Sequence, residues 1–522
     1  MNKESRTKNS IRNSSVSIIT QVLTIIMDFV VKTIFIYILG SEYLGINGLF
    51  SNIITLLSLA DLGIGVAIPY SLYKPLAQGN NKKIQVLMKF YRNIYNIIGC
   101  IVLIVGLSLT PILPFIVKEM PDIAGIYFIY DLFVIHSALT YFFVYKRFLI
   151  ESDQKGYITA NITFISSFLL NIVRVIILVI TKNFILYLFC SIVFVLIQNV
   201  WISKKADKMY PFIKDKTDDV ISKKDKDEII TNVKALLIYK IGTVVTLGTD
   251  NIVISKFMGL VPVGIYSNYI LITNSVNNIL IQLFNAITSS IGNLVATNNE
   301  RSKNIYEKLT FFNFYIYSVA SILIFILINP FIHIWLNDDY VLSIWVAMCL
   351  GINFYLTGMG AVTNSFRTAY GLFYKAKFRP IVMVIINIVV SVILVKPLGI
   401  VGVLIGTISS RLLTIAWLDP YVVYKYGFKA NVFEYYRRYI YYLIIFLISG
   451  GLIYYLISFV NNNSLIMWIV SAIMSFIIYN IIIVVLFRKT EEFKFFAEKV
   501  KIIVNKFTKK EVIAWFLKKL MI

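Results

Sequence analysis

Charge is scarce in this chain, and so are the residues that most enzymes use for chemistry. Only 15% of its 522 residues are Asp, Glu, Lys or Arg, while 58% are hydrophobic and the mean hydropathy is +0.78. Soluble domains carry ~25% charged residues, so a soluble cytoplasmic enzyme is excluded: too little polar surface exists to cover that much apolar side chain. The three cysteines, Cys100, Cys190 and Cys349, all lie inside apolar runs, which excludes a disulfide framework and leaves them as small hydrophobes. There are only two histidines, and no His/Cys grouping with metal-ligand spacing. No Walker loop or nucleotide-binding glycine fingerprint occurs, so no enzyme activity and no cofactor is expected.

What is abundant is long apolar sequence. A membrane-crossing helix needs about 20 mostly apolar residues. The first run, Ser15 to Leu39, has no small-residue cleavage site and reads as a retained helix rather than a signal peptide. Thirteen further segments follow, the last two at 439–459 and 464–487, giving an all-α polytopic membrane protein of about fourteen helices. The net charge of +23 would suggest nucleic acid in a soluble chain, but here it maps sidedness. Of the 50 Lys and Arg residues, 42 fall at alternate, inner connections. Four more lie in the opposite loops (Lys118, Lys182, Lys256, Lys396) and four within spans (Lys32, Arg174, Lys240, Arg411). Both termini are therefore expected in the cytoplasm and no nucleic-acid partner is expected. The outer loops are too short to hold a catalytic domain of the kind that membrane glycosyltransferases and polysaccharide polymerases place there. Asp338 and Asp339, after Asn337, read as a turn rather than a metal-binding pair.

An internal repeat divides the chain. At a constant offset of about 219 residues, Gly40 pairs with Gly259, Gly45 with Gly264, Ile46 with Ile265, Ala77 with Ala296, Asn80 with Asn299 and Lys82 with Arg301. Both copies start on an outward-running helix, which implies a parallel pseudo-twofold about the membrane normal. The expected organisation is an N-lobe of six helices (1–202), a mixed-charge cytoplasmic linker (203–232), a C-lobe of six helices (233–427) and an additional helix pair (428–487). A basic amphipathic tail (488–522) follows, with Phe496, Val500, Ile503 and Phe507 at helical spacing, suited to anionic inner-leaflet lipid. The Gly402-x-x-x-Gly406 spacing suits close helix packing.

Ionisable side chains inside spans are expensive unless they face a cavity or pair with each other. The acids are Asp28, Asp61, Asp131 and Asp250; with His136 they are the candidates for coupling or gating. Asp28 and Lys32, one turn apart, read either as an intrahelical ion pair or as a mobile pair that a substrate or cation opens. Asp61, in a Gly- and Pro-loosened stretch, reads either as a cap or as transport chemistry; His136 reads either as a packing residue or as a titrating group. Asp250 falls within one turn of the repeat equivalent of Asp28, a placement suited to a cation site. The buried cations Arg174, Lys240, Arg411 and Lys32 offer an electropositive cavity to an anionic cargo, Arg through a bidentate fork and Lys as a point charge. Arg367 and Lys256, near helix ends, read as snorkelling side chains.

The stretch "GSEYLGINGLFSNIITLLSLADLGIGVAIPYSLYKPLAQGNNKKI" (40–84) resembles the bacterial polysaccharide-transport, or O-antigen (Wzx-type), flippase family, and "PLGIVGVLIGTISSRLL" (397–413) is similar to that family's hairpin between helices eleven and twelve. The family belongs to a MATE-like superfamily that also holds multidrug and toxin extrusion carriers and lipid II flippases. The resemblance implies a two-lobed, alternating-access carrier in a bacterial plasma membrane. Its cargo would be an undecaprenyl-diphosphate-linked oligosaccharide, and polysaccharide polymerase and glycosyltransferases would be its neighbours in the pathway. It also implies that Arg174, Lys240 and Arg411 contact the diphosphate, and that the carrier acts as a monomer without ATP hydrolysis. A drug/cation antiporter and a membrane glycosyltransferase are the competing readings.

Overall fold

A computed structural model describes residues 3–57, 64–117, 122–215, 248–297, 299–376, 378–460 and 464–498, with a few isolated positions between 219 and 227. Every regular element among them is helical. Among the described residues, ten helices are long and apolar enough to cross a membrane, or eleven if the bent pair Ile126–Tyr141 and Val144–Ser152 forms one span. The chain is thus a multi-pass membrane protein. The expected segments 44–70 and 233–256 lie partly outside the described residues.

The chain divides into two compact units, residues 1–282 with 377–410, and residues 283–376 with 411–522. In the first, α1 (Lys3–Leu57) is interrupted at Gly40, whose φ of 86° sits in the left-handed region that glycine enters without steric cost. The helix over 248–258 (α9) ends at Gly259, with φ 94°, and α10 (Leu260–Thr297) begins. The two breaks are the pair that the 219-residue repeat aligns. The next helix boundaries follow suit: α2 (Ile64–Gln78) ends before Asn80, whose side chain caps α3 (Asn81–Ser108) at Lys83 N, and α10 ends before Asn299, which opens α11 (Asn299–Leu336). The repeat is also a contact. A Cβ built on Gly45 would lie 2.1 Å from the Leu260 carbonyl oxygen, and one on Gly264 would lie 2.3 Å from that of Ser41. Ser41 and Leu260 are themselves repeat partners, so the second arm of α1 and the start of α10 cross symmetrically, backbone on backbone, at two glycines.

The rest of this unit contains α5 (Ile126–Tyr141), α6 (Val144–Ser152), α7 (Gly156–Thr181), α8 (Phe184–Met209), α13 (Arg379–Leu398) and the start of α14 (Ile400–Leu412). Helices α7 and α8 form a hairpin closed by Lys182 in the left-handed region and by Asn183, whose side chain accepts from Leu186 N at 3.1 Å. At the other membrane face Lys146 pairs with Asp207 (2.7 Å) and Lys155 with Asp153 (2.6 Å). Helix α14 lies directly on α13 through Gly402 and Gly406, where a Cβ would meet Leu394 O and Ser391 Oγ at 2.1 Å each. The tight-packing reading of that glycine pair is the one the structure supports.

The second unit is built on aromatic packing. Tyr355 stacks on Phe446 (4.2 Å between centroids) and Phe314 on Tyr442 (4.3 Å), joining α11 and α12 (Ile344–Ala369) to α16 (Phe433–Ile457). Helix α17 (Leu465–Phe487) is tied to α11 by Ser318–Tyr479, Tyr315–Asn480 (2.7 Å) and Trp468 Nε1 to Leu327 O (3.0 Å). Arg438 bridges Glu307 and Glu492, at 3.2 Å each, and Phe496 stacks on Phe312 at 4.7 Å. The tail up to residue 498 therefore packs on α11; Val500, Ile503 and Phe507 lie outside the described residues. Asn337 caps Asp339 N (3.0 Å), so Asp338 and Asp339 do form a turn.

Arg367 does not snorkel. It is buried and paired with Asp419 of α15 (Ile415–Val422) at 2.7 Å, and donates to Asn364 at 2.7 Å. Lys256, which also read as snorkelling, donates to Phe115 O at 2.6 Å, capping the single turn α4 (Leu113–Ile116).

Candidate functional site

The hairpin α7–α8 fixes the principal cationic group. Arg174 lies eight residues before Lys182, and Ser191 eight residues after Asn183, so antiparallel helices set them level, about 12 Å from the turn. Arg174 donates to Ser191 Oγ from Nη2 (2.6 Å) and Nε (3.1 Å), while Ser191 donates to Tyr187 O (3.0 Å). The Tyr187 ring covers one guanidinium face, its centroid 4.5 Å from Cζ. Among the described residues Nη1 makes no hydrogen bond and no carboxylate lies within 4 Å of Arg174, which leaves that edge for an anion.

Three other expected residues gather around it. Asp28 is within electrostatic reach of Arg174 and of Lys32, and His136 within reach of Arg174. The intrahelical Asp28–Lys32 ion pair is not formed. Lys32 Nζ instead donates to Ser267 O (2.8 Å) and Oγ (3.2 Å) of α10, so a lysine of the first repeat is satisfied by a hydroxyl and a carbonyl of the second. Asp131 does not join this group: it accepts from Thr110 Oγ1 at 2.8 Å and fastens the turn after α3.

A second polar assembly surrounds Asp250 on α9. Thr407 Oγ1 of α14 lies 3.2 and 3.3 Å from the two Asp250 carboxylate oxygens; Asn387 Nδ2 of α13 donates to Thr407 (2.9 Å), and Thr249 donates to Asn387 Oδ1 (2.8 Å). One turn along, Ser391 Oγ donates to Val403 O at 3.2 Å. Carboxylate, amide and hydroxyl groups from three helices are thus joined in one hydrogen-bonded chain, rich in the oxygen donors that a hard cation prefers. Sequence reading found Asp250 but missed Asn387, Thr407 and Ser391; the Gly402–Gly406 contact that brings α14 onto α13 was the available signal.

Arg411 belongs to the other unit. Its Nη1 donates to Asn353 O (2.8 Å), to Asn353 Oδ1 (3.3 Å) and to Thr357 Oγ1, all on α12. Asp61 and Lys240 lie outside the described residues.

No protein-family model matches the chain, and no curated protein does. Solved structures do. The lipid II flippase MurJ, in an inward closed conformation, aligns over 92% of this chain and 99% of its own length, with a TM-score of 0.62 at 12% identity. An inward-facing multidrug-resistance MATE family transporter of the MOP superfamily aligns over 78% of this chain and 98% of its own, with a TM-score of 0.58 at 16% identity. A MOP superfamily transporter from Pyrococcus furiosus, described as having a binding pocket of reversed polarity, covers 80% of this chain and 96% of its own, at a TM-score of 0.58 and 16% identity. The chain therefore has the fold shared by MATE transporters and MurJ.

Proposed function

We propose that this protein is a flippase that moves an undecaprenyl-diphosphate-linked oligosaccharide from the inner to the outer leaflet of a bacterial plasma membrane, for export or polymerisation of a polysaccharide. Both termini lie in the cytoplasm in this reading. The observation that carries it is Arg174, held by Ser191 and the Tyr187 ring with an edge of its guanidinium left over and no carboxylate within 4 Å among the described residues. A half-buried guanidinium within a span is costly unless an anion completes it, and a diphosphate is such an anion. Lys32, whose hydrogen bonds among the described residues go to Ser267 oxygens, is a second cation that can exchange a neutral partner for a phosphate oxygen. The likeness in fold to a lipid II flippase supports a lipid-linked cargo. The oxygen-rich assembly at Asp250 is the coupling element: a monovalent cation seated among Asp250, Asn387 and Thr407 would lock α9 to α13 and α14 in one state of the cycle.

The test is Arg174→Ala in the native host. Lipid-linked glycan should build up on the inner leaflet at unchanged protein level, and surface polysaccharide should fall. Normal surface polysaccharide would overturn the assignment. Increased sensitivity to cationic dyes with normal polysaccharide would favour a drug antiporter.

A further inference from the structure

We infer that the first unit holds a second subsite, a pocket for a neutral sugar ring of the cargo, between α3, the broken pair α5–α6, and α8. This rests on the flippase reading for its cargo but on different residues. The transmembrane helix starting at Ile126 breaks at Phe142–Phe143 with a bend of 43°, and Phe143 sits at φ 70°. A bulky side chain in that region is strained and persists only where the surroundings impose it. The break frees backbone carbonyls inside a span, and Asn199 of α8 answers them, its Nδ2 donating to Leu139 O (2.9 Å) and Phe142 O (3.1 Å). Beside the break is a cavity of about 300 Å³, at the lower end of the ~300–1,000 Å³ that small-molecule sites occupy.

Its lining excludes the obvious alternatives. Gln198 presents its amide and Asn199 its remaining Oδ1, which a lipid chain would leave unsatisfied, while Thr140 Oγ1 already donates to Ser137 O at 2.7 Å. Arg147 at its edge opposes a cation, yet is already paired with Glu151 at 2.7 Å and so is not set for a free anion. Tyr141 and Phe143 are the aromatic part of the lining, Tyr141 being backed by the buried Tyr95, which stacks on it at 6.5 Å and on Phe148 at 5.9 Å between centroids. The Gln198 amide, which can donate and accept, beside the Asn199 Oδ1 acceptor and an aromatic ring matches a hexopyranose, with hydroxyls around its edge and C–H groups on its flat face. Gln198 makes no hydrogen bond among the described residues, so its amide is left to whatever fills the cavity.

The position fits a phosphate-linked glycan. Ser191, Val195, Gln198 and Asn199 share one face of α8, and seven to eight residues of helix span about 11 Å. A diphosphate at Arg174 would therefore put the first or second sugar at the cavity. The subsite makes the carrier selective for the reducing-end sugars.

The test uses the full chain in lipid nanodiscs and two separate probes. Saturation-transfer NMR with methyl glycosides of hexoses and N-acetylhexosamines reads the cavity; inorganic pyrophosphate reads Arg174. At least one glycoside should bind, and Gln198→Leu and the cavity-filling Val195→Phe should weaken it about tenfold or more, with pyrophosphate binding and melting temperature unchanged. Gln198→Asn, which keeps the amide, should retain part of the signal if Gln198→Leu does not fold. Silence from every glycoside, or equal signals in the variants, overturns the sugar subsite. Glycoside binding without pyrophosphate binding overturns the anion site instead.

Discussion

The symmetric crossing of the two repeats gives the sharpest test of the architecture. Placing alanine at Gly45 puts a methyl group 2.1 Å from the Leu260 carbonyl oxygen, where ordinary contact begins near 3.4 Å. The helices would have to part by about 1.3 Å there, because the obstructing atom belongs to the backbone and cannot rotate away. Overpacking of this kind costs about 1–3 kcal/mol, against the ~0.5–1 kcal/mol that Gly→Ala returns within a helix. Gly45→Ala should therefore lose on the order of 1–2 kcal/mol. Gly264→Ala, at 2.3 Å from Ser41 O, should lose about as much, and the double variant less than the sum, since one separation relieves both clashes. The control is Gly451→Ala on α16, where nothing lies within 4 Å of the new Cβ; it should be neutral or stabilising. Equilibrium unfolding in detergent with increasing SDS reads all four proteins. If Gly45→Ala is as stable as Gly451→Ala, the backbone-on-backbone crossing is wrong. If the double variant is fully additive, the two glycines do not share one contact.

Two further outcomes follow from other contacts. Breaking the buried Arg367–Asp419 pair through Asp419→Leu alone leaves an uncompensated charge and should cost about 3–5 kcal/mol, whereas Arg367→Met with Asp419→Leu should recover most of it; an undamaged single variant in the same SDS titration would mean the pair is solvated. Asp250→Asn and Thr407→Val should each abolish the dependence of transport on its driving cation in proteoliposomes, while leaving pyrophosphate binding at Arg174 intact; unchanged ion dependence in both removes the Asp250 assembly from coupling.

Much of the fold was legible because a bilayer imposes it. The apolar runs and the one-sided lysines followed from hydropathy and the cost of burying charge, and Gly40, Gly45, Gly259 and Gly264 were visible as a repeat before any contact was known. The individual charges were another matter. Asp28 and Lys32, four residues apart on a helix, suggest each other, yet Lys32 turns to Ser267, more than two hundred residues away in the sequence. Arg367 looked like a snorkelling residue because its helix ends nearby; its partner, Asp419, sits just beyond the end of another span and gave no signal of its own. Asp131 read from the sequence as a coupling or gating candidate, and its contact with Thr110, which holds a turn, had no signal in the sequence.

By itself the sequence determined that the chain crosses a membrane many times, which ends of its spans carry the charge, and that it contains two copies of one motif. Those properties are written in composition and periodicity, which each segment expresses alone against lipid and water. Only the tertiary structure decided that the repeats meet at paired glycines, that Arg174 is braced by Ser191 and Tyr187, and that Asp250 shares its oxygens with Thr407 and Asn387. Each of these depends on which helix lies beside which at a separation of a few ångströms, and inside a bilayer that choice is made by packing and by the need to satisfy every buried polar group, neither of which is local in the chain.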